Sequence, residues 1–493
     1  MYEAKFQKYV TKSSARFAEP EEICETLLPL KNAENVFSAG VPLYYKDKNL
    51  YVDNSDGHTM VIGPTGCKKS RITVFSTVAS VIESGESAII NDPKGEIFRK
   101  TAARAKEKGM NVFLLNFRNP SKSHFWNPLR QALAFNKAGL EDEALQCIHD
   151  FAHTVVAPSI AKTNDRYWGD TSESFLCSLA LVLMESTSAE YFNLTNLIPL
   201  CYEENHSKLK RLLSDMDDTS IAAFGLHTVL DLQAEKTKSC IYSTLLATLS
   251  PFMKNRNLLK MLSDSSFDIE DIGKKPTLVY IVYPDEKNSL NFLVNLFFTQ
   301  CYETLVSYAH RCSGDKLPVR VNFIIDEFSN LTKIENFSNR ISEARSKNIR
   351  YFLFLQSYGQ LKNKYDNDAE TIISNCNNWV CFSSKEMDFL DKISRICGNE
   401  VDYNGIEHSL LSPYRMQHLR KGYEISEVLI IKQGLHPYMA DLPDFDYVDE
   451  FRNYKPTDLI DIDAFSNACF ISFDEWRDKI REGVFRYPFR KAA

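Results

Sequence analysis

Between residues 58 and 116 the chain alternates short apolar runs with helix-length amphipathic segments. "TMVI" (59–62) predicts a strand and 69–83 a helix. "SAIIND" (87–92) predicts a second strand, 95–108 a charged helix, and "NVFLLN" (111–116) a third strand. Apolar runs without polar alternation, separated by helical stretches, indicate βαβ units in a parallel sheet covered on both faces.

That rhythm stops near Trp126. From about 140 to 249, segments such as "SESFLCSLALVLMES" and "CIYSTLLATL" predict helices with few strands between them. Strand–helix alternation resumes at "TLVYIVYP" (277–284), with a helix over 289–310. It continues through "VRVNFIIDEF", a helix up to Arg345, the strand "RYFLFLQS", the strand "NNWVCFSS" and a helix over 385–398. The expected architecture is α/β, a central mostly parallel twisted sheet interrupted by an inserted all-α domain. The boundaries are an N-terminal segment at 1–57, a nucleotide-binding domain at 58–125 and 251–455, the insertion at 126–250 and a tail at 456–493. The acidic, then aromatic and basic tail receives no assignment. Internal repeats and low-complexity tracts are absent from the sequence.

Two strand ends carry candidate chemistry. "VIGPTGCKKS" (61–70) outlines a phosphate loop, an apolar strand end followed by glycines and a Lys-Ser pair that opens a helix. Phosphates are held by backbone N–H groups at the positive end of a helix dipole. Gly63, Pro64, Thr65, Gly66, Cys67, Lys68, Lys69, Ser70 and Arg71 are the candidate ATP-binding positions. Lys69 is placed to reach the β- and γ-phosphates and the Ser70 hydroxyl to bind Mg²⁺. The usual pattern, GxxxxGKS or GxxxxGKT, has glycine where this chain has Lys68. A lysine there keeps the required N–H and can point its side chain into solvent, but its Cβ crowds the turn. The residues alone leave open both a nucleotide loop and a chance strand–turn–helix.

In "VNFIIDEFSNL", Asp326 and Glu327 end an apolar run at the sheet edge where ligands of such sheets bind. Asp326 suits Mg²⁺ held through water, and Glu327 suits activation of the attacking water. Two solvated acids ending a buried strand are the plainer reading. Gln356, ending "YFLFLQ", can sense a γ-phosphate, or simply cap a strand. Arg345 can serve a neighbouring subunit's nucleotide, or be a solvated helix-end arginine. Seven basic residues, Lys333, Arg340, Arg345, Lys347, Arg350, Lys362 and Lys364, stand against Glu335 and Glu343 over 333–364. Such a patch fits sequence-independent contact with DNA backbone, single- or double-stranded, or else a solvated helix face.

Composition narrows the picture further. The 493 residues are 44% hydrophobic and 25% charged, an ordinary globular balance with room for two to four folding units. A net charge of −7 means any nucleic-acid contact must be local. Twelve cysteines without paired CxxC spacing suggest reduced cytosolic thiols rather than zinc or disulfides. The longest clean apolar run, "FLCSLALVLM" (175–184), falls short of the ~20 residues that a membrane span needs. No secretory signal opens the chain.

With these residues in place, the sequence resembles the coupling proteins of type IV secretion and conjugation, the TraG/TraD-like family of RecA-fold DNA translocases. The landmarks are "GPTGCKKS", "NDPKGEIFRKT", "NPL" (127–129), "DRYWGDTSESFL", "EKTKSCIYSTL", "LVYIVYPDE", "FIIDEFSNL", "EARSKNIRYFLFLQSYGQL", "ISNCNNWVCF" and "GLHPYMADL". The resemblance implies a RecA-like P-loop NTPase with an inserted all-α domain, assembled as a homo-hexamer. It also implies recruitment of relaxase and relaxosome to the channel components of a conjugative secretion system, with ATP and Mg²⁺ driving DNA transfer. By position, Lys69 and Ser70 fall on the Walker A pair, and Asp326 and Glu327 on the Walker B pair. Gln356 falls on the nucleotide-sensing glutamine and Arg345 on the arginine finger. Asp92 and Lys94 lie in the second-strand motif, as structural support. The inserted domain is the part that implies contact with relaxosome or cargo.

Two departures stand out. Most members carry N-terminal transmembrane helices, which this sequence lacks, so the expectation is a cytoplasmic protein, or one held peripherally at the membrane's inner face by a partner. Lys68 is the other, and it bears on ATP turnover. The alternative function is therefore a nucleotide-regulated docking platform with weak or no ATPase activity, binding relaxase or effector proteins. A hexameric motor of the FtsK/HerA kind fits the landmarks less well.

Overall fold

The computed structural model describes residues 15–160, 167–212, 221–232, 234–284, 290–402, 405–457, 466 and 468–486. Asp165 and Arg166 of one landmark, Asp285 and Glu286 of another, residues 1–14 and parts of the tail (458–465, 467 and 487–493) lie outside the described residues. The chain divides into two compact units. One comprises Met1–Leu114, Glu270–Val282 and Leu305–Leu459; the other comprises Leu115–Ile269, Tyr283–Thr304 and Ile460–Ala493.

The strands in chain order are β1 (Leu28–Pro29), β2 (Pro42–Lys46), β3 (Asn49–Val52), β4 (His58–Ile62), β5 (Ser87–Asn91), β6 (Asn111–Asn116) and β7 (Thr277–Val282). They continue with β8 (Val321–Ile325), β9 (Ile349–Leu355), β10 (Cys376–Cys381), β11 (Asn399–Val401), β12 (Glu407–Ser409), β13 (Ile425–Lys432) and β14 (Tyr438–Pro443). Nine of them form one sheet in the order β14-β13-β10-β4-β9-β8-β5-β7-β6. From β10 through β7 each pairing is parallel, while β13 and β14 are antiparallel additions at one side.

The apolar runs become strands because helices cover both faces of the sheet. Every residue of β4, β5, β7, β8 and β9 is buried. Polar members such as His58 and Arg350 are satisfied internally, as buried groups generally are. The His58 ring bonds the Ile341 carbonyl through Nε2 at 2.7 Å and accepts the Tyr351 N–H at Nδ1 at 3.0 Å. Arg350 is 1% exposed and donates to Asn322, Glu86 and the Ser55 carbonyl.

The described residues ahead of the first parallel strand, 15–57, also form regular structure. They form a three-stranded sheet, β1-β3-β2, tied to the large sheet by buried Asp53, whose carboxylate accepts from Lys432 (2.8 Å) and Asn378 (2.6 Å).

In the second unit the strand-poor stretch is helical as expected, with Glu141–Ile160, Tyr167–Ser186 and Glu235–Met253 the long elements. The tail contributes a helix, Phe473–Arg481, N-capped by Ser472. It belongs to the same unit, where buried Trp476 donates from its indole to Ser186 Oγ at 3.1 Å. No described helix is long and apolar enough to cross a membrane. All twelve cysteines are free thiols.

Candidate nucleotide site

Parallel pairing brings five strand ends to one edge. Ile62 stands opposite Leu355 on β9 and Cys381 on β10, and Ile325 stands opposite Leu353 and Asn91. The residues that follow, Gly63, Gln356, Phe382, Asp326 and Asp92, therefore share the carboxyl edge. Because β9 lies between β4 and β8, Gln356 emerges between the glycine loop and the acidic pair.

The loop turns tightly. A Cβ on Gly63 would meet Cys67 Sγ at 2.6 Å and Phe382 Cβ at 2.8 Å, so only glycine fits there. Gly66 has φ 83° and Lys68 φ 69°, both left-handed. For a lysine that conformation costs roughly 1–2 kcal/mol. The helix opens at Ser70 with a wide turn over Ser70–Val74 before Phe75–Ser84 continues it. Such π-turns recur at functional sites.

The two lysines diverge. Lys69, 5% exposed, donates from Nζ to the Leu355 carbonyl at 2.9 Å. Lys68 does not point into solvent as the sequence allowed. Its ammonium donates to the Tyr423 carbonyl at 2.6 Å and lies 3.6 Å from Asp444 Oδ2. Arg71 commits its guanidinium to Asp444 (2.7 and 2.5 Å) and Asp446 (2.5 Å).

Across the gap, Asp326 Oδ2 lies 3.4 Å from Ser70 Oγ, joining residues 256 positions apart. Asn91 Nδ2 holds the Asp326 carbonyl at 2.5 Å. Burial pushes the Asp326 carboxyl up to about 6, and the Glu327 carboxylate adds to the rise, while Lys69, Lys94 and the Glu327 N–H oppose it. A buried carboxylate short of positive charge, next to a hydroxyl, is the donor set a hard divalent cation takes. Asp92 is also pushed up, to about 7, by burial, and its Oδ2 accepts the Phe98 N–H at 2.8 Å, fixing the start of the helix Glu96–Glu107.

Glu327 sits at φ 55°, which swings it out of line with β8. Gln356 joins the two motifs: its Nε2 donates to Glu327 Oε2 at 2.5 Å and its Oε1 accepts from Thr65 Oγ1 at 3.2 Å. Asn330 donates to the same Glu327 oxygen at 3.3 Å. The structure thus gathers Thr65, Lys69, Ser70, Asp326, Glu327 and Gln356.

Arg345 is not part of that gathering. It precedes β9, whereas Gln356 follows it, and its guanidinium pairs with Asp56 at 3.2 Å. The basic patch also shrinks. Arg350 is buried in its own network, and Lys364 Nζ donates to the Ser329 and Leu331 carbonyls, where burial lowers it to about 8. Neither is available to a phosphate backbone. Lys333, Arg340, Arg345, Lys347 and Lys362 remain.

Sequence reasoning missed Asn91, Asn330, Tyr423, Asp444 and Asp446. The last three lie more than 350 residues beyond the loop they contact, and no local pattern marks them.

The model of the type IV secretory system conjugative DNA transfer family matches residues 11–402. Conjugal transfer protein TraG of Escherichia coli is 24% identical over 383 residues, covering 72% of this chain and 57% of that protein. Protein VirD4 of Rhizobium rhizogenes is 22% identical over 379 residues, covering 72% of this chain and 51% of that protein. The chain thus spans about half the length of the curated relatives it matches. Among solved structures, the plasmid coupling protein TrwB in complex with a non-hydrolysable ATP analogue superposes with TM-score 0.60 at 16% identity, over 93% of this chain and 96% of that one. TrwB in complex with ADP and Mg²⁺ gives 0.54 at 15% identity, over 91% and 95%. The α/β, RecA-like fold is shared with these proteins.

Proposed function

The chain belongs to the type IV secretory system conjugative DNA transfer family, and from that premise we propose that it is an ATP-driven motor that delivers DNA–protein substrate to a conjugative secretion channel. One observation carries the enzymatic part: Ser70 and Asp326 meet at 3.4 Å while Gln356 links Glu327 to the loop. Bound Mg²⁺ would neutralise phosphate charge between Ser70 and Asp326. The loop N–H groups and Lys69 hold the phosphates. Gln356 and Asn330 both load Glu327 Oε2, so Oε1 is the oxygen offered to a water, whose proton it accepts as the water attacks. The family description and the conjugal transfer protein TraG support conjugative transfer as the setting. DNA held by the remaining basic residues, a hexameric ring, and relaxase met through the helical unit complete the proposal.

The test is phosphate release by the full chain with and without single-stranded DNA. The wild type is expected to hydrolyse ATP and be stimulated by DNA, and Lys69→Ala is expected to fall to background. Should wild type and variant both release nothing while a relaxase still binds, the chain is a docking platform.

The strained backbone at Lys68 is what favours that second reading. Lys68→Gly relieves the strain and gives up the bond to Tyr423, while Asp444 keeps Arg71. ATP affinity of Lys68→Gly, measured by titration calorimetry, is expected to stay level or rise. A drop of about tenfold or more would mean that the ammonium matters to binding, either as a phosphate ligand or through the Tyr423 tip that it holds.

A further inference from the structure

The carboxyl edge does not end flat beside the phosphate loop. β10 pairs with β13 only as far as Cys381 opposite Leu429, whereas β13 begins at Ile425. Ile425, Ser426, Glu427 and Val428 pair with β14 alone. The β13–β14 ribbon therefore overhangs the edge by about 13 Å, at roughly 3.3 Å per residue, and forms a wall next to the loop. Tyr423 precedes one of its strands, and Asp444 and Tyr447 follow the other.

This tip is pinned to the loop. Lys68 holds the Tyr423 carbonyl, and Arg71 grips buried Asp444 with a two-pronged contact. Lys100 adds a bond to Asp446 at 2.7 Å. Yet the aromatic rings there are left in the open: Tyr423 is 80% exposed and Tyr447 40%. Their centroids are 6.1 Å apart at 77°, and the Lys68 ammonium lies 4.9 Å from the Tyr423 centroid. A phenol fixed within one side chain of the loop yet 80% exposed buries little of its face within the chain. A flat ligand covering it would gain stacking area.

We propose that Tyr423, with Tyr447 at its edge, is the platform on which the purine base of the bound nucleotide stacks. This rests on the reading that the Gly63–Arg71 loop holds a nucleotide. Phosphates on that loop leave the base one sugar away, the scale on which Lys68 connects loop to ring. Tyr423 supplies the stacking face, Tyr447 closes one side, and Lys68 and Arg71 position the tip without touching the base. Stacking of this kind tolerates any purine, so ATP and GTP should bind alike.

The experiment compares Mg·ATP with Mg·tripolyphosphate, which lacks a base, by titration calorimetry on the full chain. Tyr423→Ala is expected to weaken ATP about tenfold or more and leave tripolyphosphate within about threefold of wild type. Tyr423→Phe keeps the ring and is expected to restore ATP binding. Tyr423 presents its backbone carbonyl to Lys68, so the substitution does not remove that bond. Unchanged ATP affinity in Tyr423→Ala overturns the proposal, also if DNA stimulation alone falls. Equal loss for both ligands overturns it too, because the ring would then act through the loop. If the wild type binds neither ligand, the nucleotide reading fails beneath it.

Discussion

Glu327→Gln is expected to bind Mg·ATP as the wild type does and to lose hydrolysis by about 10²–10⁴-fold, the usual contribution of a positioned general base. The substitution keeps the side chain's length and an oxygen for the Gln356 amide, so the link from acidic motif to loop survives. It removes the basic oxygen and a negative charge. That charge is among the causes that raise Asp326, so its loss eases ionisation of Asp326 and does not weaken the place proposed for Mg²⁺. Nucleotide affinity by calorimetry and phosphate release by a coupled assay separate the two effects. Unchanged hydrolysis would show that the water is activated by another group. Lost binding would show that Glu327 holds the site together rather than acting on water.

How much of this was legible in the sequence follows from where each partner lies. Parallel strands such as β4, β8 and β9 are buried on both faces, so their runs are mostly apolar and stand out. The acids, Gln356 and the glycines come directly after such runs, which is why strand ends located them. The antiparallel additions were hidden for the opposite reason. β13 alternates buried and half-buried positions at its start, and "ISEV" does not read as a core strand. The β2–β3 hairpin turns on Asp47 and Lys48, both at positive φ, without the Asn-Gly or Asp-Gly signal such turns favour. The tail helix did leave a signal, Ser472 followed by Phe473, Trp476 and Ile480 at helical spacing, set among charges that obscure it.

The site shows the same division. That Lys68 breaks the glycine pattern was plain, but where its ammonium goes depends on Tyr423 and Asp444, and only tertiary structure supplies them. Counting basic residues over 333–364 failed where burial decides. Arg350 lies within β9 itself and had to be neutralised inside the fold, where Glu86 and a ring of carbonyls receive it. A charge count cannot distinguish such a residue from a surface arginine; its place in an apolar strand can.

Arg345 shows the limits of a single chain most directly. The seven residues of β9 separate it from the edge where Gln356 stands, about 23 Å at roughly 3.3 Å per residue. No arginine reaches that far, so any part that Arg345 takes in hydrolysis falls to the site of a second copy. Its bond to Asp56 is exposed on both sides, a surface pair worth little and readily exchanged for a phosphate. Arg345→Ala is expected to leave ATP affinity unchanged and to lower turnover by about 10³-fold or more, as removal of such a finger does. Mixing provides the decisive measurement. Arg345→Ala chains keep Glu327, and Glu327→Gln chains keep Arg345, so neither population hydrolyses ATP alone. In mixed assemblies, an Arg345 from one population can face an intact Glu327 site of the other, and phosphate release should reappear in proportion to such junctions. If the mixture stays as inactive as its parts, Arg345 does not act across a subunit boundary, and its effect in the single variant comes from the Asp56 contact within its own chain.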